Sequence, residues 1–429
     1  MKAPSSLLRT AAQAVALSAA ALLLIGANEP EVSMLSTTDA EVSNWPRWRG
    51  PSGQGAVAGD GYVDRWSPTD NVVWSTDVPG RGNSSPIVWG DRLFLTTAED
   101  GGKRRSLLAF DRSDGTLAWR TEAPAADPEA AYPKNGHASS TPATDGKLIY
   151  TYFGSAGLVA FDFDGKVRWH VTFDDVTAFH GTASSPLLYE DSVILVQDHR
   201  GPSGSFIAAF DKSTGEQRWR TAREAKVGWN SPVAVRVGDH DEIVMSGQQK
   251  VTGYDPKTGE ELWFATGNTF ETIPTPVVAH GLIFCSSGRA GPTLAIRPGG
   301  RGDVTETHIV WSSPKGSPFV PAPIVVGDHL FMVNDMASIA TVYEARTGEV
   351  VWQERLGEAR RESFSAAPVA FDGKVFFTND DGDTFVLRAE PPFEVLHVNS
   401  LDEQVIASPA LVDGVWYLRT ATRLYALGA

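Results

Sequence analysis

Two histidines stand in matching segments one repeat apart, in Asn135-Gly136-His137-Ala138-Ser139-Ser140 and His180-Gly181-Thr182-Ala183-Ser184-Ser185. Paired imidazoles can share a metal or hydrogen-bond a ligand. No third ligand accompanies them, so polar lining of a binding surface is the stronger reading. Asp380-Asp381-Gly382-Asp383 has the oxygen density of a calcium loop, but such a loop needs regularly spaced ligands and a closing Glu. An Asp-Gly hairpin turn accounts for it better. The single cysteine, Cys285, ends the apolar run Gly281-Leu282-Ile283-Phe284-Cys285. An internal disulfide and a thiolate metal cluster are therefore excluded, and a buried strand position is expected. The chain carries no phosphate loop, no Gly-x-Ser-x-Gly elbow and no His-Glu-x-x-His motif.

What must position these residues is a repeat. Ala109-Phe-Asp111-Arg-Ser-Asp-Gly115-Thr-Leu-Ala-Trp119 recurs as Ala209-Phe-Asp211-Lys-Ser-Thr-Gly215-Glu-Gln-Arg-Trp219 and Gly253-Tyr-Asp255-Pro-Lys-Thr-Gly259-Glu-Glu-Leu-Trp263. Looser copies end at Trp169, Trp311 and Trp352, and an eroded one runs from Val386 to about Leu396. In each, an apolar strand closes on an Asp that caps a turn. A Gly then supplies positive φ, and a second strand begins with the Trp. A second landmark alternates with the first: a proline after small polar residues, then strand, Gly/Asp turn, strand. It begins at Pro86, Pro142, Pro186, Pro232, Pro276, Pro323, Pro368 and Pro409. Four strands per unit at this period predict propeller blades.

The chain stops at Leu424-Tyr425-Ala426-Leu427, where a turn and a Trp strand are due. The missing piece lies at the start: Thr69-Asp70-Asn71-Val72-Val73-Trp74 matches Thr347-Gly348-Glu349-Val350-Val351-Trp352 position for position. The expected fold is an all-β, eight-bladed propeller with four-stranded antiparallel blades over residues 69–429, the N-terminal strand closing the last blade. An open solenoid is the alternative for any repeat, but gives the split unit no purpose.

Before the ring, Lys2 and Arg9 precede an apolar run from Ala11 to Ile25. It is short and Ala-rich for a membrane span and reads as a signal peptide over residues 1–27, with an uncleaved anchor as the alternative. No cysteine follows for lipid attachment. Residues 28–43 are polar and aperiodic, which predicts a flexible tether. Residues 44–68, with Trp45, Trp48 and Trp66, are expected to pack on the ring, Arg47 and Arg49 covering its rim. The formal charge of −15 disfavours nucleic acid and anionic lipid as partners.

The Ala-x-Asp-x-x-Thr-Gly-x-x-x-Trp repeat resembles the tryptophan-docking motif of PQQ-type propellers, the superfamily of quinoprotein dehydrogenases and BamB-type assembly factors. Asn44-Trp-Pro-Arg-Trp-Arg-Gly-Pro-Ser-Gly-Gln-Gly55 and Pro79-Gly-Arg-Gly-Asn-Ser-Ser-Pro86 are similar to exported members from planctomycete-type bacteria. The resemblance implies that Trp74, Trp119, Trp169, Trp219, Trp263, Trp311 and Trp352 are structural, each docking on the next blade. It places ligands at one mouth of the ring, where Asn83, Asn135, His137, His180, Trp229, Asn230 and Asp380 are candidates. Quinone chemistry would need calcium, an Asp base and, in the dehydrogenases, adjacent cysteines, and one cysteine cannot supply that pair. The expectation is therefore a monomeric, non-catalytic scaffold for protein or peptide partners in the periplasm or cell envelope, without PQQ, calcium or another metal. A quinoprotein oxidoreductase and a sugar- or peptide-sensing domain are the alternatives.

Overall fold

A computed structural model describes residues 31–36, 43–59, 61–174, 176–202, 204–289, 291–314, 316–361 and 363–429. The expected signal peptide and much of the expected tether lie outside them. The described chain forms eight sheets in a ring, antiparallel but for the short parallel edge Gly302–Asp303, and its one α-helix is the single turn Thr305–His308. Each blade begins with a short strand after its landmark proline. These first strands meet their neighbours at the axis, while the fourth, Trp-bearing strands lie outermost. Proline suits that junction because it fixes φ and holds the residue before it extended.

Closure follows the sequence pattern. Val72–Asp77 pairs antiparallel with Arg423–Leu427, placing Trp74 opposite Ala426. The same cross-strand position pairs Ala109 with Trp119, Ala209 with Trp219 and Val342 with Trp352. In the eroded copy it pairs Val386 with His397, so an imidazole fills the eighth slot.

Five indoles bind the turn of the following blade. Trp74, Trp119, Trp169, Trp219 and Trp311 donate Nε1–H to the carbonyls of Arg112, Phe163, Lys212, Pro256 and Ala345 at 2.8–3.1 Å. Beneath each ring lies a turn glycine with φ between +73° and +82° (Gly115, Gly165, Gly215, Gly259 or Gly348). An added Cβ there would come within 2.9 Å of the indole. Glycine is thus required twice over, by backbone conformation and by contact.

Trp263 and Trp352 depart from the expected docking. Trp263 is wholly buried in its own blade and bonds Glu242 Oε2 at 2.8 Å. Residues after Ile296 replace the usual turn with a detour through Gly302–Asp303 and the helical turn. Trp352 faces a blade whose turn, Arg388-Ala389-Glu390-Pro391-Pro392-Phe393, offers no glycine seat.

The N-terminal segment corrects two expectations. Within the stretch read as a tether, Val32–Met34 forms a strand along Val233–Val237, on the axial side of blade 4. Residues 44–57 occupy the central channel instead of covering a rim. Trp45 pairs with Val88 of blade 1. The Pro46 carbonyl accepts from Thr144 N of blade 2, and Val57 N donates to Ala370 O of blade 7. Gln54 Oε1 accepts from Val278 N of blade 5, and Arg49 Nη2 donates to Pro323 O of blade 6. First strands carry unpaired axial edges, and a peptide lying among them satisfies those groups. Burial lowers the pKa of Arg47 to about 10. That of Arg49 falls to about 9 through burial and then through its neighbour Arg47.

Candidate functional site

The landmark prolines also build the rim of the mouth. The residue before each is Ser or Thr in six blades and Ala in two. Each hydroxyl accepts a hydrogen bond from the equivalent N–H of the preceding blade. Ser85 N donates to Thr141 Oγ1, Thr141 N to Ser185 Oγ, Ser185 N to Ser231 Oγ and Ser231 N to Thr275 Oγ1, at 2.9–3.0 Å. Ala367 N donates to Ser408 Oγ and Ser408 N to Ser85 Oγ, both at 2.9 Å, which carries the belt across the closing seam. The belt lapses where Ala322 and Ala367 have no hydroxyl to offer.

Above this belt lies a cavity of about 260 Å³. Its floor is Trp48, at the tip of the channel segment, with Nε1 on Ser408 Oγ at 3.2 Å. The cavity is therefore blind and opens on one face. One wall is aromatic: Trp229 lies nearly parallel to His180 with ring centroids 6.1 Å apart, and Tyr132 packs against the same imidazole at 5.1 Å. Beyond Trp229 the wall continues with the pair Arg289–Glu271, whose Nε–Oε2 distance is 2.7 Å, and with Phe319.

The loop between blades 1 and 2 leans over the opening. Its root is held by Glu129, which forms a fully buried ion pair with Arg105 at 2.8 Å. Its tip carries Lys134, whose Nζ lies 2.7 Å from Asp380 Oδ2 of blade 7. Burial is the largest influence on Asp380 and raises its pKa, with Lys134 opposing.

Asp335 sets the position of the Phe319 wall. Its Oδ1 accepts from Phe319 N at 2.7 Å and Val320 N at 3.4 Å, while Oδ2 is buried without a partner. Burial raises its pKa from 3.8 to about 6. The neutral carboxyl is thus the form that the fold favours. Its stability contribution is present below about pH 4 and lost as pH rises through about 6. At about 1.4 kcal/mol for each unit between the two values, the loss is about 3 kcal/mol. Asp335→Asn should flatten the stability profile between pH 4 and 6, measured by urea titration. An unchanged slope would refute this role.

Of the sequence candidates, Asn83, Asn135, His180 and Trp229 line the cavity. Asn83 Nδ2 holds the lid loop by the carbonyls of Lys134 and Asn135 at 2.6 and 2.8 Å. Asn135 Nδ2 binds His180 O at 2.8 Å. Asp380 reaches the site through Lys134. His137 and Asn230 do not line the cavity. His137 packs on Gly102, in the 3₁₀ turn between the second and third strands of blade 1, so the two histidines do not form a pair. Asn230 is buried and bonds Ser246 O within its own blade. Asp380-Asp381-Gly382-Asp383 closes a hairpin, with Asn379 Oδ1 accepting from Asp381 N and Asp383 N. Tyr132, Lys134, Glu271, Arg289, Phe319 and Trp48 were not foreseen as site residues. The length of the blade 1–2 connection was the only local sign of a lid.

The donor set does not suit a calcium–quinone centre. Of the nearby carboxylates, Glu271 and Asp380 are engaged by cations and Asp335 is buried behind Phe319, bonded to backbone N–H groups. Among the described residues no three His, Cys, Asp or Glu side chains converge. Cys285 lies buried in a strand, and burial pushes its thiol pKa up.

A family model for the outer membrane protein assembly factor BamB matches residues 52–174, 104–354 and 336–427. The polyvinylalcohol dehydrogenase of a Pseudomonas species is 23% identical over 239 residues, 52% of this chain and 32% of that protein. The tetrathionate hydrolase of Acidithiobacillus ferrooxidans is 22% identical over 353 residues, 72% of this chain and 66% of that protein. The chain thus spans about a third and about two thirds of these relatives. BamB from Moraxella catarrhalis superposes with a TM-score of 0.61 at 15% identity, over 83% of this chain and 97% of the other. A europium-containing methanol dehydrogenase gives 0.66 at 12% identity, over 91% and 98%. At such identities these structures share the fold.

Proposed function

The chain belongs to the BamB-type family of PQQ-repeat β-propellers, and from that premise we propose that it is an exported, non-catalytic binding ring of the cell envelope whose blind mouth receives a protruding segment of a protein or peptide partner. The observation that carries this reading is the closed floor. Trp48, presented by the chain's own channel segment, turns an open pore into a one-sided socket. Aromatic faces, a hydroxyl belt and a lysine over the opening suit a peptide, with the half-buried Trp229 as an aromatic anchor. Among the described residues no cluster of free carboxylates stands ready for acid–base or metal chemistry. Among the described residues no helix is long and apolar enough to cross a membrane. A sugar-sensing role would use the same socket, and the near-parallel His180 and Trp229 rings favour it as the second reading.

A photo-crosslinking residue at Tyr132, half-exposed at the mouth, should capture a discrete envelope protein in the producing cell. One at Val350, exposed on an outer strand, should not. Trp229→Ala should weaken capture by at least about tenfold, the scale of a single aromatic hot spot. Two results would overturn the proposal. One is equal capture from Val350. The other is a quinone absorbance band that survives gel filtration after soaking with PQQ and calcium, accompanied by alcohol-dependent dye reduction.

A further inference from the structure

We propose that the seam between the last and first blades contains a binding chamber for a small anionic group, either a carboxylate or a free inorganic anion. This inference stands independently of the peptide reading of the mouth. A cavity of about 50 Å³ lies there, lined among others by Arg81, Asn83, Gln404, Ile406, Arg419 and Thr420. A water-sized site needs only about 10–15 Å³ by a comparable measure, so the space suits an ion or a carboxylate rather than a whole metabolite.

Arg419 ends the strand Val415–Arg419 and is 1% exposed. Its Nη1 crosses the seam to Ser84 Oγ at 3.0 Å and Thr96 O at 2.8 Å. Its Nε and Nη2 are buried and have no partner. That pair of N–H groups forms the forked edge that binds carboxylates and oxyanions side-on. The cavity lining contains no Asp or Glu. Burial alone bears on Arg419, lowering its pKa to about 9, with no carboxylate to offset it. Arg81 borders the same space and has no ion-pair partner among the described residues. In a chain with 52 acidic and 37 basic residues, two arginines around an acid-free cavity run against composition. A buried cation without a counter-charge is costly, and an incoming anion removes that cost. Asn83 and Ile406 line both this chamber and the mouth, so the anion can arrive alone or as the end of a chain lying in the socket.

Calorimetric titration of the full chain tests the chamber, with ionic strength held by a bulky organic buffer salt. Acetate, phosphate and chloride are the probes. At least one should bind saturably at one equivalent. Arg81→Gln should weaken that binding by about tenfold, the scale of one charge-assisted hydrogen bond. Gln404→Glu should abolish it and raise the melting temperature in anion-free buffer, because the new carboxylate supplies the counter-charge. Neither variant touches the Arg419 bonds that hold the seam. A short peptide with a free C-terminus, compared with its amidated form, separates the two sources. Binding of the free form alone assigns the chamber to a chain end, whereas small-anion binding with no preference between the peptides assigns it to a free ion. Indifference of the wild-type chain to all three ions and to the peptide end would overturn the proposal, as would wild-type binding by Gln404→Glu.

Discussion

A chain ending at Thr422 is expected to lose the single cooperative thermal transition of the full-length protein. Residues 423–427 pair on one side with Val415–Arg419 and on the other with Val72–Asp77. Without them blade 8 keeps two strands, and the N-terminal strand has no sheet to join. Leu424 and Leu427 are fully buried and Tyr425 nearly so. At about 1.5–3 kcal/mol for each large apolar side chain, their loss approaches the roughly 5–15 kcal/mol that separates most folded domains from the unfolded chain. Trp74 would also lose the frame that holds its indole on Gly115 and the Arg112 carbonyl. Removal of Ala429 alone, an exposed terminal residue, should leave the melt unchanged. Scanning calorimetry of the two truncations decides the matter. A normal melt for the shorter chain would mean that the ring does not depend on this seam.

Trp416→Ala should be the costliest single tryptophan substitution in the chain, at about 3–5 kcal/mol. Trp416 is 1% exposed and lies at the centre of an aromatic cluster. Its ring lies 4.9 Å from Trp66, 4.9 Å from Phe376 and 5.5 Å from Phe371. Its Nε1 donates to Val63 O at 3.0 Å. The substitution therefore opens a cavity, orphans a carbonyl and frees the segment that leads from the channel to the closing strand. Trp352→Ala should cost about 1–2 kcal/mol, because that ring is partly exposed and its indole N–H has no partner among the described residues. Urea titration of the pair measures the difference. Equal costs would show that the outer Trp strands, and not the inner cluster at the seam, set the stability of the ring.

The ring is legible in local sequence rules. Turn chemistry acts between residues a few positions apart, so Asp-x-x-x-Gly and the Trp strand that follows it are legible wherever they recur, and the period counts the blades. The split final unit was legible for the same reason: Val72-Val73-Trp74 repeats Val350-Val351-Trp352. Even the erosion of blade 7 keeps its register, with His397 opposite Val386.

What fills the ring and what lines its mouth depend on contacts far apart in the chain. Residues 44–57 have no period, and their contacts reach blades 1, 2, 5, 6 and 7 at separations from about 40 to over 300 residues. No local signal encodes such a placement, because it is selected by unpaired backbone edges that exist only once the ring has closed. In the shared x-Gly-x-Ala-Ser-Ser pattern His180 stands at the place of Asn135 and His137 at that of Thr182, and only the first pair lines the cavity. The His137 ring turns instead to blade 1, where it packs on Gly102. Lys134 and Asp380 meet across the mouth from loops almost 250 residues apart. Repetition specifies a scaffold through short-range rules, whereas the site depends on where each blade departs from them, and that is settled by packing over long range.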